Sequence, residues 1–217
     1  MYAIGILPTR AISFRPLAPV HDDGPNVRYP FPRPFCVLWR HWPTLWRHPI
    51  ARKRGVYLWT VRYKNGYLVE YVGITGRSFG QRQFQHIQDQ CSGVYNVDMP
   101  GSLRSLRTSV AWHGLGWGPK RWRRAGDFLS RMPQFARLIH QVYGQYRLFC
   151  ADLDLSARVL ERIEAGISFH LKSQPGLIGK GQEDGIVYRP RRQVERPIKV
   201  RVSCAKHVWG LPDTIEA

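Results

Sequence analysis

Acidic residues are scarce: 15 Asp and Glu stand against 33 Lys and Arg, a formal net charge of +18 over 217 residues. Such an imbalance favours a polyanionic partner, because each phosphate neutralised releases condensed counterions. A ribosomal-type or merely soluble basic protein has the same composition. Cysteine is thin and scattered, at Cys36, Cys91, Cys150 and Cys204, with no Cys-x-x-Cys pair. That spacing argues against a disulfide framework and for a reducing, intracellular compartment, with a cytoplasmic location the expectation. Long apolar runs are missing too, and nothing approaches the ~20 residues that a membrane span requires, so no membrane association is expected. The opening MYAIGILPTRAISFRP meets Pro8 and Arg10 early and makes a poor signal peptide. There is no internal repeat and no low-complexity tract.

What is present suits one folded core with appended arms: 43% hydrophobic and 12% aromatic residues. Residues 1–51 hold nine prolines, which argues for an extended arm rather than regular elements. The later part of that arm interleaves Trp39, Arg40, His41, Trp42, Trp46, Arg47 and His48. It suits nucleic-acid contact, but docking of the indoles onto the domain is favoured, since large aromatics dominate burial.

Residues 55–74 predict two strands joined at Asn65-Gly66, apolar on both faces and therefore covered on both sides, with Thr75-Gly76-Arg77 turning into a helix. The loop decides where two tyrosines go. A two-residue Asn65-Gly66 loop puts Tyr57 and Tyr71 on opposite faces. A three-residue loop over Lys64-Asn65-Gly66, or a compensating bulge, puts them on one. Ser78 and Gln81 then fit a capping box for a helix near 79–90. Phe84, Ile87 and Cys91 form its apolar stripe, with Arg82 and His86 stacked four apart and facing outward. An outward polar pair is also what any amphipathic helix shows.

Residues 92–125 read as a long loop with one strand near 108–112, and 126–141 as a helix disturbed by Pro133. From 101 to 150 there are nine basic residues and one acid, Asp127. Arg104, Arg107, Lys120, Arg121, Arg123 and Arg124, around GWGPKRWRR, are the candidate nucleic-acid surface. Tyr146–Cys150 reads as a third strand. Ser156 then caps a helix over 157–173 with the stripe Leu160, Ile163, Ile167 and Leu171. At ~100° per residue Glu164 borders that stripe, where a carboxylate is half-shielded, while Glu161 reads as a plain surface charge. The tail from 181 is basic, and IKVRV at 198–202 reads as an edge strand or strand-like arm. Cys204-x-x-His207 has half the spacing of a zinc site and no second half, so a structural cysteine is favoured.

Gly55-Val56-Tyr57 and Tyr71-Val72-Gly73 on adjacent strands, an Arg-x-x-x-His helix and a later helix glutamate, in that order, resemble the GIY-YIG nuclease family. The match runs from Gly55 to about Gly176. The resemblance implies an α/β domain over 52–180, a small three-stranded antiparallel sheet flanked by helices, with 92–141 as an insertion. Residues 1–51 would be a Pro/Trp-rich arm and 181–217 a basic extension. It implies a metal-dependent DNA endonuclease with catalytic Tyr57, Tyr71, Arg82, His86 and Glu164. Glu164 would hold Mg²⁺ or Mn²⁺, Arg82 would face phosphate charge, and Tyr57 would activate water with His86 and Tyr71 orienting it or relaying its proton. RNA is a possible substrate, and a double-strand cut would require a homodimer or reorientation. A non-catalytic nucleic-acid-binding protein on the same scaffold is the alternative. Many members carry an asparagine after the glutamate helix; here no Asn follows Asn96, and Gln174 is the available substitute.

Overall fold

A computed structural model describes residues 10–16, 48–99, 109–115, 124–180 and 187–217, the first of these in backbone only. The architecture is mixed α/β. Strands are β1 (Arg10–Pro16), β2 (Gly55–Tyr63), β3 (Gly66–Thr75), β4 (Val97–Asp98), β5 (Val110–Trp112), β6 (Tyr146–Asp152), β7 (Lys199–Cys204), β8 (Val208–Trp209) and β9 (Thr214–Glu216). The main helices are α1 (Phe79–Cys91), α2 (Ala125–Ser130), α3 (Met132–Gln145) and α4 (Ala157–Ser173). The described residues fall into two units: 10–16, 52–79, 147–180 and 187–217 in the first, 48–51, 80–99, 109–115 and 124–146 in the second.

The first unit is built on a seven-stranded sheet of order β8-β3-β2-β6-β1-β7-β9. The three strands read from the sequence, β3, β2 and β6, are neighbours within it, but the expectation of a three-stranded sheet is corrected. Arg10–Pro16, inside the proline-rich arm, is not irregular: it lies between β6, antiparallel, and β7, parallel. Nor is β7 an edge, because β9 covers its other side. Its alternation is real, with Val200 and Val202 buried and Lys199 and Arg201 exposed. Gly55 sits close against β6, with φ +142°, and a Cβ there would fall on the Ala151 carbonyl oxygen. Leu153 N–H donates to the Arg54 carbonyl (2.8 Å), while Thr60 Oγ1 donates to the Arg147 carbonyl (2.9 Å). Those contacts run in opposite directions along the two strands, so β2 and β6 are antiparallel.

The hairpin register differs from both loops considered. Tyr63 pairs with Gly66, so the turn is the two residues Lys64-Asn65, with Lys64 left-handed at φ +49°. Gly66 lies just beyond the turn, packed closely against β8: a Cβ there would lie 2.5 Å from the His207 carbonyl oxygen. The register then shifts between Trp59 and Thr60, where Trp59 faces Tyr71 but Thr60 faces Val69, leaving Glu70 as the extra residue of a bulge. The bulge lets Val69 and Val72, three apart, both face one side. There they join Val56, Leu58, Phe149 and the α4 stripe Leu160, Ile163, Ile167 and Leu171 in the core. Ser156 caps α4 as its position predicts, its oxygen accepting from Val159 N–H at 3.4 Å.

In the second unit, the supposed loop at 92–125 contains a two-stranded ladder, Val97 opposite Trp112 and Asp98 opposite Val110. Trp112, Phe128 and Phe135 pack with ring centroids 5.0–5.5 Å apart. The helix expected over 126–141 is two helices divided at Arg131, because Pro133 belongs to the first turn of α3, where its missing N–H costs no hydrogen bond. No described helix is long and apolar enough to cross a membrane.

Candidate functional site

Tyr57 and Tyr71 come together in the first unit. On β2 the core-facing residues are Val56 and Leu58, so Tyr57 and Trp59 face the other side, and the bulge brings Tyr71 to that same side. The two phenol rings lie 5.9 Å apart between centroids, Trp59 packs edge-on against Tyr71 at 6.2 Å, and Phe79 edge-on against Tyr57 at 6.3 Å. Gly73, directly opposite Tyr57, makes room for them. A Cβ at Gly73 would stand 2.5 Å from Tyr57 Cζ, Tyr57 Oη and Tyr71 Cε1. Tyr57 is fully buried, whereas Tyr71 is partly open.

Glu164 is also in the first unit, half-buried on the flank of the α4 stripe as the helical spacing predicts. Its helix packs on the Val56–Leu58 face of the hairpin. Glu161 is not a plain surface charge. It accepts from Arg189 at 2.9 Å and from Arg158 at 3.3 Å, inside a cluster in which Arg158 also forks onto Glu195 at 2.7 Å. Gln174 caps the end of α4, with its amide 3.2 Å from His170 Nε2.

Arg82 and His86 belong to the second unit, one turn apart on α1. The expectation that both face outward is corrected for His86, which is 6% exposed, with its ring 5.9 Å from that of Tyr95. Gln83 and Ile87 are buried with it, while Phe84, assigned to the apolar stripe, is 39% exposed. The buried face of α1 thus includes polar residues, which a periodicity built on apolar residues alone misses. Burial, and secondarily the Arg82 charge, lower the His86 pKa to about 3. It is therefore neutral near pH 7 and a weak base. Burial likewise pushes the Cys91 thiol up to about 12, leaving it protonated.

Of the candidate nucleic-acid residues, Arg104, Arg107, Lys120, Arg121 and Arg123 lie outside the described residues, as do Trp39, Trp42 and Trp46 of the arm. Arg124 stacks on Trp112 at 4.4 Å and donates to the His113 carbonyl at 2.7 Å. Its guanidinium plane is engaged in holding the second unit together. Glu70 was passed over in the sequence: it is the bulge residue beside Tyr71, half-buried, with Oε2 shielded from solvent. A carboxylate inside the apolar run Leu68-Val69-Glu70-Tyr71-Val72 was the available signal.

Among the described residues no group of three or more His, Cys, Asp and Glu is arranged to hold a metal ion. Mg²⁺ asks for less, typically one or two carboxylates completed by waters and phosphate oxygens, so Glu164 fits as a single anchoring carboxylate. No family model, no curated protein and no solved structure matches the chain.

Proposed function

We propose that the protein is a metal-dependent endonuclease that hydrolyses phosphodiester bonds in DNA. The observation that carries this reading is the pair of phenols held on one face of the hairpin, over Gly73, by the bulge at Glu70. A plain two-residue hairpin from the Lys64-Asn65 turn would have turned them apart. In this reading Glu164 would hold Mg²⁺, which when bound would supply positive charge for phosphodiester hydrolysis. Arg82 adds a fixed cation where negative charge grows in the transition state. Tyr57 would take the proton of the attacking water as its phenolate, its own proton having first passed to solvent, and Tyr71 would orient that water. His86, neutral and of low basicity, serves as a hydrogen-bonding partner and not as the final proton acceptor. Because Tyr57 is fully buried, the groups covering it must move when the substrate binds.

Supercoiled plasmid incubated with and without Mg²⁺ tests the reading. Wild type should nick or linearise it, and Tyr57→Phe, Arg82→Ala and Glu164→Ala should each lose at least ~100-fold in rate while still binding DNA. Equal inertness of wild type and Glu164→Ala, with equal binding, would remove the enzyme. The second reading, a binding protein on this scaffold, is favoured by the closed burial of Tyr57. Parallel assays on RNA decide the substrate.

A further inference from the structure

At the far end of the hairpin from Gly55 there is a second chemical constellation, wholly within the first unit. The turn places Lys64 at φ +49°, and among the described residues it alone of the non-glycines has a left-handed backbone. Glycine, asparagine or aspartate fills such a position at lower cost, so a lysine there calls for an explanation. Its ammonium lies 5.3 Å from the Tyr63 ring centroid and 5.1 Å from that of Trp209. The two rings meet edge-on at 6.1 Å, and His207 packs edge-on against Trp209 at 4.6 Å. Gly66 brings the His207 backbone against the turn, where Tyr67 N–H donates to its carbonyl at 3.0 Å. This seats β8 and the preceding Lys206 beside the tip. Arg62, Lys64, Lys206 and His207 are all exposed.

The charges here are uncompensated. Elsewhere in the unit some cations are matched, Lys53 with Asp152, Arg54 with Asp154, Arg158 with Glu161 and Glu195, and Arg191 with Glu216, while others such as Lys199 and Arg201 stand singly among the described residues. No described carboxylate pairs with Arg62, Lys64, Lys206 or His207. A rigid aromatic platform holding lysine in a costly conformation, free of acids, presents positive charge at fixed positions.

We infer that this hairpin tip is a phosphate-backbone contact for duplex DNA, distinct from the tyrosine pair. Six residues of strand separate Tyr57 from Tyr63, a span of ~20 Å at ~3.3 Å per residue. That span equals about six phosphate steps of a duplex lying along the hairpin. The inference shares the nucleic-acid partner with the proposed function but none of its chemistry.

The test is fluorescence anisotropy of a labelled 20-base-pair duplex with the full chain in EDTA, across a salt series. Lys64→Gly and Lys206→Gln should each reduce the slope of log affinity against log salt by about 1 and weaken binding several-fold. Lys64→Gly should melt no lower than wild type, since glycine relieves the turn; Lys206→Gln leaves the turn untouched and reads the same contact independently. Lys199→Gln, exposed on β7 at the other side of the sheet, serves as the reference for losing one charge anywhere. Slopes and affinities no different from that reference overturn the inference, as does failure of wild type to bind, or stronger binding of single-stranded RNA. Reduced slopes in a protein that never cleaves DNA uphold it while ending the endonuclease reading. Normal cleavage with unchanged slopes does the reverse.

Discussion

Gly73 and His86 show how single residues condition the candidate site. Gly73 is the floor on which both phenols rest, and the Tyr57 ring, fully buried, has nowhere to retreat. Gly73→Ala should therefore cost roughly 1–3 kcal/mol by overpacking, and it should alter the near-ultraviolet tyrosine signal before global unfolding. Either a neutral melting shift or unchanged tyrosine optics would show that the rings are not locked there. His86 is held neutral, with its pKa lowered to about 3 against 6.5 for a free histidine. The unfolded chain binds the extra proton between these values. Stability from this residue is complete above pH ~6.5 and falls by up to about 1.4 kcal/mol per pH unit toward pH 3. Urea titrations of wild type and His86→Gln from pH 7 to 4 should show that dependence in wild type and its attenuation in the variant.

Among the elements, the register of the β2–β3 hairpin is tested at one residue. Deleting Glu70 removes the bulge but leaves Thr60 opposite Val69, Trp59 opposite Tyr71 and Leu58 opposite Val72, so Tyr71 and the valines of the α4 core keep their faces. The deletion should therefore lower the melting temperature about as little as Glu70→Ala does; a far larger loss from the deletion would refute the register. The α4 helix makes a second case. Arg158 forks onto Glu195 and donates to the Arg189 and Pro190 carbonyls, fastening residues 187–196 along the helix. Hydrogen bonds from Arg158 and from Arg192 N–H lower the Glu195 pKa to about 2. That contribution is present above the ordinary carboxylate range and is lost as pH falls through about 2, so proteolysis in this segment should rise in acid and, in Arg158→Ala, at neutral pH as well. Helices α1 and α4, with Ser156 and the Leu160–Leu171 stripe, were legible because capping and a 3.6-residue period are local properties. The bulge was legible only as an alternative: strand faces depend on register, and the residues beside the turn pack against remote segments, as Gly66 does against His207, about 140 positions away.

For the whole molecule, charge is the property that composition reports directly. A net charge of +18 predicts that binding to any nucleic acid weakens steeply with salt, by about 0.9 in log–log slope for each phosphate contacted. A flat titration would exclude phosphate contact as the basis of binding. By itself the sequence determined the strands and helices that carry the five candidate residues, the excess of positive charge, the capped α4 stripe and the half-shielding of Glu164. These follow from short-range periodicity and from charge, which need no knowledge of distant neighbours. Tertiary structure alone decided that the arm residues Arg10–Pro16 and the tail strands join the hairpin in one seven-stranded sheet. It also decided that His86 is buried and that both phenols share a face. Those outcomes rest on which remote segment fills each position beside a strand or helix, and pairing partners far apart in the chain leave no periodic trace in either one.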